Sequence, residues 1–213
     1  MRASEVVHHL KELCRRDCVI VISGVPGTGK STVTSILSET LGWEKVDLSK
    51  AAIRYGLVLE EDRERGTYVI DEDAVRSWVR RKASEGPLII DSHYGEIVDD
   101  DILLKLFVLR LRPDILLDRL LKRGWHPRKV AENVEAELIG VCTTNALEEH
   151  PREKVCEIDT TGRTPDEVAE DILMTLAGKR ECLIGVDWLS DPSVVESVLA
   201  SLARLEDLRE PDE

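Results

Sequence analysis

A glycine-rich loop at residues 24–31 constrains the fold of this 213-residue chain more than any other feature. The loop reads GVPGTGKS and fits the pattern G-x-x-x-x-G-K-[ST]. A β-branched run at residues 19–22 precedes it, and a helical pattern of apolar residues follows it as far as Leu41. Because loop N–H groups and a helix N-terminus both attract anions, strand, loop and helix in this order predict a polyphosphate site. We therefore expect the chain to bind a nucleoside triphosphate.

Two side chains of this loop have roles that follow from their chemistry. Lys30 is expected to reach the β- and γ-phosphates, since its ammonium group sits on a long stem at the start of the helix. The Ser31 hydroxyl is expected to occupy one position around Mg²⁺. The loop therefore predicts a site for a magnesium-bound triphosphate.

The composition is acidic, with 42 Asp and Glu against 29 Lys and Arg and a net charge of −13. Such a charge disfavours general or sequence-specific nucleic-acid binding, because phosphates repel an acidic surface. It suits a basic partner such as a ribosomal protein or a histone. It is equally compatible with a role in solubility alone.

The five cysteines, Cys14, Cys18, Cys142, Cys156 and Cys182, form no C-x-x-C pair, and their number is odd. This pattern favours free thiols in a reducing compartment over a disulfide framework or a zinc site.

No signal-peptide pattern is evident, and no apolar run approaches the ~20 residues of a membrane helix. The expected location is the cytoplasm, without membrane association.

Five short apolar runs alternate with helical patterns along the first 179 residues. The runs predicted as strands begin at Val19, Trp43, Leu88, Leu104 and Val155. This alternation predicts an α/β fold with a five-stranded parallel sheet and helices on both faces. Ligands of such sheets bind at the carboxyl ends of the strands. Residues 24–31, Asp47, 91–93 and 160–163 should therefore meet at one edge.

Other segments are less decisive. The charged stretch 59–66 predicts either a mobile flap or a solvated loop, and the pattern over 128–149 predicts one helix. Residues 185–190 fit a strand or a loop. An amphipathic helix beginning at Asp191 completes a C-terminal extension, residues 180–213, and its apolar face is expected to pack on the core or on a partner.

Missing motifs narrow the class of phosphate-loop protein. The sequence has no N-K-x-D motif of GTPases and no L-S-G-G-Q motif of transporter ATPases, and it is short for a helicase or an AAA module. A small phosphotransferase remains, which needs an acceptor pocket and a cationic element over the transferred phosphoryl group. Five basic residues near Gly124 form either such a lid or a solvated helix end: Arg119, Lys122, Arg123, Arg128 and Lys129.

Asp91 and His93 follow the apolar run at Leu88. Asp91 is placed as the carboxylate that positions Mg²⁺ in phosphate-loop enzymes, so Ser31 and Asp91 are the expected metal residues. His93 points to the same side two residues later. It is expected to position a water or polarise the γ-phosphate, or else to cap the loop.

Six segments together resemble the adenylate kinase isoenzyme 6 (CINAP-type) family, in particular its archaeal members. They are GVPGTGKST at 24–32, VDLS at 46–49, YVIDED at 68–73, DSH at 91–93, RGW at 123–125 and KVAENVEAE at 129–137. The resemblance runs from about Val19 to Ala177. Asp-x-His combined with Arg-Gly-Trp makes it far more specific than the phosphate loop alone.

The resemblance implies a P-loop NTPase fold of the nucleoside monophosphate kinase type over residues 1–179, with an acceptor-binding segment at about 45–68 and a lid at about 122–132. It implies ATP with Mg²⁺, adenylate kinase activity towards AMP, and ATPase activity. It further implies a role in late maturation of the small ribosomal subunit and its rRNA, through a basic ribosomal protein of the platform of the precursor particle. An ATP-gated binding module with little kinase activity is the alternative.

Residue roles follow from the loop and the resemblance together. The expected ATP-binding residues are Gly24, Gly27, Thr28, Gly29, Lys30, Ser31, Thr32 and the lid arginine Arg123. The expected catalytic residues are Lys30, Asp91, His93 and Arg123, and the expected acceptor-site residues are Asp47, Lys50 and Arg54. This chain has few of the arginines that form the acceptor site of ordinary adenylate kinases. The resemblance does not extend beyond Lys179.

Overall fold

The computed structural model describes residues 3–62 and 67–207 of the chain. The first half contains α1 (Ala3–Leu13), β1 (Val19–Ser23), α2 (Lys30–Leu41), β2 (Glu44–Asp47), α3 (Leu48–Arg54), β3 (Val58–Asp62), β4 (Thr67–Ile70), α4 (Glu72–Glu85) and β5 (Leu88–Asp91). The second half contains β6 (Leu103–Arg110), α5 (Pro113–Lys122), α6 (Pro127–Leu138), α7 (Val141–Glu149), β7 (Val155–Asp159), α8 (Pro165–Leu176) and α9 (Pro192–Asp207).

The central sheet has five strands in the order β2-β5-β1-β6-β7, and every neighbouring pair is parallel. This confirms the predicted α/β fold. Successive side chains of β1 point to opposite faces of the sheet. Val19 and Val21 pack towards α4, whereas Ile20 and Ile22 pack towards α2 and α8. Burial on both faces explains why the strand reads as a continuous apolar run.

The charged stretch 59–66 is partly a strand, which corrects the expectation of a flap or loop. β3 and β4 form an antiparallel hairpin, in which Asp62 pairs with Thr67 and Val58 with Ile70. Residues 63–66, at its tip, lie outside the described residues. The hairpin escaped prediction because its residues are too charged to show a clear alternation of apolar and polar positions.

The single helix predicted over 128–149 is two helices, α6 and α7. Gly140 separates them with a φ of +71°, in the left-handed region that glycine adopts without a steric penalty. The apolar stripe continues across the break, so periodicity alone did not reveal it. This break separates the basic segment around Gly124 from the helix that packs near β7.

The C-terminal extension packs on the core, which was one of the two placements that its pattern left open. Residues 188–190 form a 3₁₀ turn rather than a strand. The apolar face of α9 then lies against α5 and α6, with Val194 and Val198 fully buried. Residues beyond 207 lie outside the described part of the chain.

The expectation of free thiols is wrong for four of the five cysteines. Cys14 is bonded to Cys18 across four positions, and Cys156 is bonded to Cys182 across twenty-six. Cys142 is free. The sequence spacing did not reveal the second pair because only the fold brings residue 182 back beside β7.

Among the described residues, no helix is long and apolar enough to cross a membrane.

Candidate active site

The phosphate loop connects β1 to α2 at the carboxyl edge of the sheet, and two of its glycines allow close approach to β6 and α5. Gly24 has a φ of +132°, and a Cβ there would lie 2.5 Å from the carbonyl oxygen of Leu109. Gly27 has a φ of +100°, and its Cβ would lie 2.6 Å from Leu116 of α5. Both positions therefore exclude side chains. The loop is consequently packed directly against β6 and α5.

Lys30 begins α2 and folds its side chain over the loop. Its Nζ donates to the carbonyl oxygens of Gly24 at 2.7 Å and Val25 at 3.1 Å. Burial lowers the pKa of this ammonium group, and the nearby Asp91 carboxylate opposes the change. The loop thus holds a partly desolvated ammonium group where a polyphosphate is expected to bind.

Ser31 and Asp91 are sixty positions apart in sequence but in direct contact. The Ser31 hydroxyl donates to Asp91 Oδ2 at 2.5 Å. Asp91 ends β5, the strand between β1 and β2, and is buried. A hydroxyl and a carboxylate in contact at the edge of a phosphate loop form an oxygen-only donor set, which is the kind that Mg²⁺ prefers.

His93 lies beside these groups and contacts Tyr94, with ring centroids 3.9 Å apart and ring planes tilted by 42°. Burial, and then the charge of Lys30, lower the pKa of His93 to about 4, while Asp47 opposes the change. The imidazole is therefore neutral near pH 7. A neutral ring can orient a water or accept a hydrogen bond, but it is not a cation for the phosphates.

This pKa predicts acid sensitivity of the fold. The pKa of His93 is about 4 in the folded protein against an ordinary 6.5, so the unfolded chain takes up the proton first. The contribution of neutral His93 to the free energy of unfolding is then complete above pH 6.5 and is lost as the pH drops towards 4. We expect His93→Gln to flatten this part of the stability curve, as measured by urea unfolding at about pH 7 and about pH 5. The exposed control His8→Gln should keep the wild-type slope, and equal slopes in all three proteins would contradict the prediction.

A cavity of about 360 Å³ joins these residues. Ten of the predicted site residues line it: Gly27, Gly29, Lys30, Ser31, Thr32, Asp47, Lys50, Asp91, His93 and Arg123. Gly24 and Thr28 do not line it but shape the loop, since the Thr28 hydroxyl donates to Val25 O at 3.0 Å. Arg54 lies elsewhere, with its guanidinium 5.6 Å from the centroid of the Tyr55 ring.

Asp47 and Lys50 line the cavity at the start of α3. Asp47 caps this helix by accepting from Lys50 N at 3.1 Å, and its side chain pairs with Lys50 Nζ at 2.7 Å. Burial alone would raise the pKa of Asp47, but the hydrogen bonds from Lys50 hold it below its usual value. The Lys50 side chain is exposed, so it can turn towards an anion in the cavity.

Two cations outside the predicted ATP-binding, catalytic and acceptor-site residues also contact the loop. Arg119 of α5 donates to the Gly27 carbonyl oxygen at 3.3 Å. Lys45 of β2 donates to Ser31 O at 2.8 Å and to Ser35 Oγ at 2.9 Å. The sequence named Arg119 only within the basic cluster, and nothing in it placed Lys45, because that contact depends on the helix–strand packing. Arg128, another member of the cluster, pairs instead with Glu132 on its own helix.

A second cavity, of about 190 Å³, adjoins the first and is mainly apolar. It is lined by Ser49, Ile53, Tyr68, Ile70, His93 and Tyr94. Ser49 and His93 line both cavities. All of these residues except His93 were not predicted as site residues, and the β3–β4 hairpin that supplies Tyr68 and Ile70 was itself missed. A polar cavity beside the phosphate loop thus adjoins a mainly apolar pocket lined by two tyrosines and a histidine.

Comparison with known proteins places this geometry in a family. Residues 20–140, more than half of the chain, match the family described as an AAA domain. On sequence alone, the short length of the chain disfavoured an AAA module. The match shows that chain length does not exclude an AAA domain. The region matched contains the loop, Asp91, His93 and Arg123.

Two archaeal relatives align over most of their length. A Thermococcus onnurineus protein named "Putative adenylate kinase" is 40% identical over 171 residues, which cover 80% of this chain and 91% of the relative. A Methanocaldococcus jannaschii protein of the same name is 35% identical over 170 residues, covering 79% and 92% respectively.

The solved structures agree on the fold. Shikimate kinase from Acinetobacter baumannii, in complex with shikimate, has a TM-score of 0.52 at 15% identity and covers 76% of this chain and 94% of its own. Shikimate kinase from Aquifex aeolicus has a TM-score of 0.50 at 18% identity, covering 75% and 96%. At such identities the likeness shows the fold alone. The match over residues 20–140 and the archaeal relatives show that the chain belongs to the adenylate kinase-like family of P-loop proteins.

Proposed function

We propose that this protein is a nucleoside monophosphate kinase of the isoenzyme 6 type, which transfers the γ-phosphoryl group of ATP to AMP. The observation that carries the proposal is the pair of adjoining cavities that share Ser49 and His93. One cavity holds the groups that bind phosphates, and the other is an apolar pocket suited to a nucleoside. The "Putative adenylate kinase" relatives support the choice of AMP as acceptor.

The residues present fit an ATP and magnesium site. Ser31 and Asp91 would hold Mg²⁺, which when bound neutralises charge on the β- and γ-phosphate oxygens. Lys30 would leave the carbonyl oxygens of its own loop and turn to those phosphates. Arg123, at the end of α5, and Arg119 would face the transferred group from the other side of the cavity.

Transfer then needs little covalent chemistry from the protein. An oxygen of the AMP phosphate attacks the γ-phosphorus, a new P–O bond forms, and the bond to the β-phosphate oxygen breaks, which yields two ADP molecules. Lys30, Arg119 and Arg123 stabilise the negative charge that spreads over the phosphoryl oxygens. His93, being neutral, would orient the acceptor, or a water when the acceptor is absent. The second case gives the ATPase activity that we also propose.

The acceptor pocket gives a prediction that separates the two substrates. We expect Tyr68→Ala to raise the KM for AMP about tenfold and leave the KM for ATP nearly unchanged, because base–aromatic stacking contributes ~1–3 kcal/mol. Tyr55→Ala is the matched control, since Tyr55 is an exposed tyrosine that packs against Trp78 and lines neither cavity. Steady-state kinetics with each nucleotide varied in turn would measure both constants. Equal changes in the two KM values would remove Tyr68 from the acceptor pocket.

The kinase proposal itself is tested by following ADP formation from ATP with and without AMP, and with GMP, CMP and UMP in its place. Stimulation by AMP above the ATPase background is the expected result. A rate no greater than that of the Lys30→Ala variant with every acceptor would overturn the proposal. A preference for another monophosphate would keep the reaction and change the acceptor.

A second function, an ATP-gated module for ribosome assembly, is favoured by the net charge of −13. We propose that the acidic surface binds a basic protein of the small-subunit platform during late maturation of the precursor particle and its rRNA, with ATP hydrolysis releasing it. The same proposal places the protein in the cytoplasm. Binding of such a ribosomal protein that is equal with ATP, with ADP and without nucleotide would contradict gating.

A further inference from the structure

The C-terminal extension packs against α5 and α6, in a buried cluster that also contains Val25 of the phosphate loop. Val194, Val198 and Leu202 of α9 belong to one buried cluster with Leu116 and Leu120 of α5. Val130, Ala131 and Val134 of α6 belong to the same cluster. The extension is therefore continuous with the core of the helices that carry the basic segment.

These same helices set the position of two arginines in the candidate active site. Leu116 and Leu120 press on Gly27 so closely that a Cβ at Gly27 would lie 2.6 Å from the first and 3.2 Å from the second. Arg119, between them in sequence, donates to the Gly27 carbonyl oxygen. A shift of α5 would consequently move Arg119 and Arg123 relative to the loop.

A buried carboxylate links α6 to both the sheet and the extension. Glu137 is 1% exposed and accepts three hydrogen bonds on one oxygen. The donors are Arg110 Nε at 2.8 Å, Leu111 N at 3.1 Å and the indole nitrogen of Trp188 at 3.0 Å. Trp188 belongs to the extension and is only half-buried. It is thus the one donor of the three that comes from the extension, since the other two are the last residue of β6 and the residue after it.

The segment that delivers Trp188 is itself anchored to β7. The backbone N–H groups of Gly185 and Val186 donate to Glu157 Oε2 at 2.7 and 2.8 Å. Arg110 Nη1 donates to the Val186 carbonyl oxygen at 3.2 Å. These hydrogen bonds fix the backbone just before Trp188. The bond from its indole to Glu137 therefore restrains the end of α6.

We propose that Trp188 is a positioning residue for the nucleotide site. Through Glu137, and with α9 behind it, Trp188 keeps the α5–α6 pair where Arg119 and Arg123 face the phosphate loop. The inference rests on the proposed function, since it assumes that ATP binds there. Trp188 does not touch the nucleotide, and its effect passes through helix position alone.

The test is the affinity of the full-length protein for Mg·ATP, measured by titration calorimetry. Trp188→Phe keeps an aromatic ring and removes the N–H donor to a buried carboxylate. We expect the dissociation constant to rise about three- to tenfold, because a hydrogen bond to a charged group is lost and only part of its effect reaches the loop. Val198→Ala should act in the same direction by loosening α9.

Two matched controls separate positioning from stability. Trp43→Phe makes the same exchange at a buried tryptophan of the α1–α2 side of the core, and Leu199→Ala alters α9 on its exposed face. Both should leave the ATP affinity at the wild-type value, even if Trp43→Phe lowers the melting temperature. A wild-type affinity in Trp188→Phe, or an equal loss in Trp43→Phe, would overturn the inference. Wild-type protein that does not bind ATP would instead overturn the proposed function.

Discussion

Replacing Lys30 by alanine is expected to lower kcat by about 10²- to 10³-fold, the size of effect seen when one preorganised donor to a transition-state oxyanion is removed. The reason is geometric, because Lys30 is a partly desolvated ammonium group at the loop, held within 2.7 Å of Gly24 O. The nearby Lys45 cannot take over its role, since the Lys45 ammonium group is already bonded to Ser31 O and Ser35 Oγ. Rates of ADP formation at saturating ATP and AMP would measure the loss.

The fold should survive this change, which makes the loss interpretable. Within the described part of the chain, the Lys30 ammonium group bonds only carbonyl oxygens of its own loop, and burial already lowers its pKa, so little stabilisation is lost with it. Lys105→Ala is the matched control, because this lysine of β6 bonds Glu153 O and lines neither cavity. An alanine variant at position 30 with kcat within a factor of about two of wild type would exclude phosphate contact by Lys30.

Replacing Arg110 by methionine is expected to destabilise the fold by about 3–5 kcal/mol, because it leaves two buried carboxylates without their cation. Arg110 is 2% exposed and bonds Glu137 and Glu157, which come from α6 and β7. Such a loss is a large share of the ~5–15 kcal/mol that stabilises a typical domain. Urea unfolding would show a lower midpoint with an unchanged slope.

The pH dependence of this loss has a definite sign. Burial alone would raise the pKa of Glu157, but hydrogen bonds from Thr143, Gly185 and Val186 and the charge of Arg110 hold it below its usual value. Without Arg110 the pKa of Glu157 should rise. Protonation at mildly acidic pH then removes the unpaired buried negative charge and recovers part of the lost stability. The deficit relative to wild type should therefore shrink on going from about pH 7 to about pH 5.

Arg80→Met provides the matched control for Arg110. Arg80 also pairs with two carboxylates, Asp99 and Asp101, but about half of its side chain is exposed. Water and salt screen such pairs, so the control should change the midpoint only slightly. If Arg110→Met cost no more than Arg80→Met, the buried network would not be stabilising the folded chain.

The strands of the sheet were predictable because their signal is local. Leu88–Asp91 and Val19–Ser23 are apolar runs bounded by loop residues, and burial on both faces favours such runs whatever their partners are. The hairpin Val58–Ile70 was not predictable in this way, since its charged residues leave it without alternation. The order of the strands in the sheet could not be predicted from any single segment, because pairing is set by contacts between distant parts of the chain.

For the candidate site, the sequence by itself determined the phosphate loop, since its glycines, Lys30 and Ser31 act through the conformation of one continuous segment. Only the tertiary structure decided what surrounds that loop. It brought Asp91 to Ser31, built an aromatic pocket from the hairpin and α3, and excluded Arg54 from both cavities. It also placed Trp188 behind α6. The physical reason is that loop geometry depends on backbone torsions of neighbouring residues, whereas these contacts depend on how helices and strands pack across the whole core.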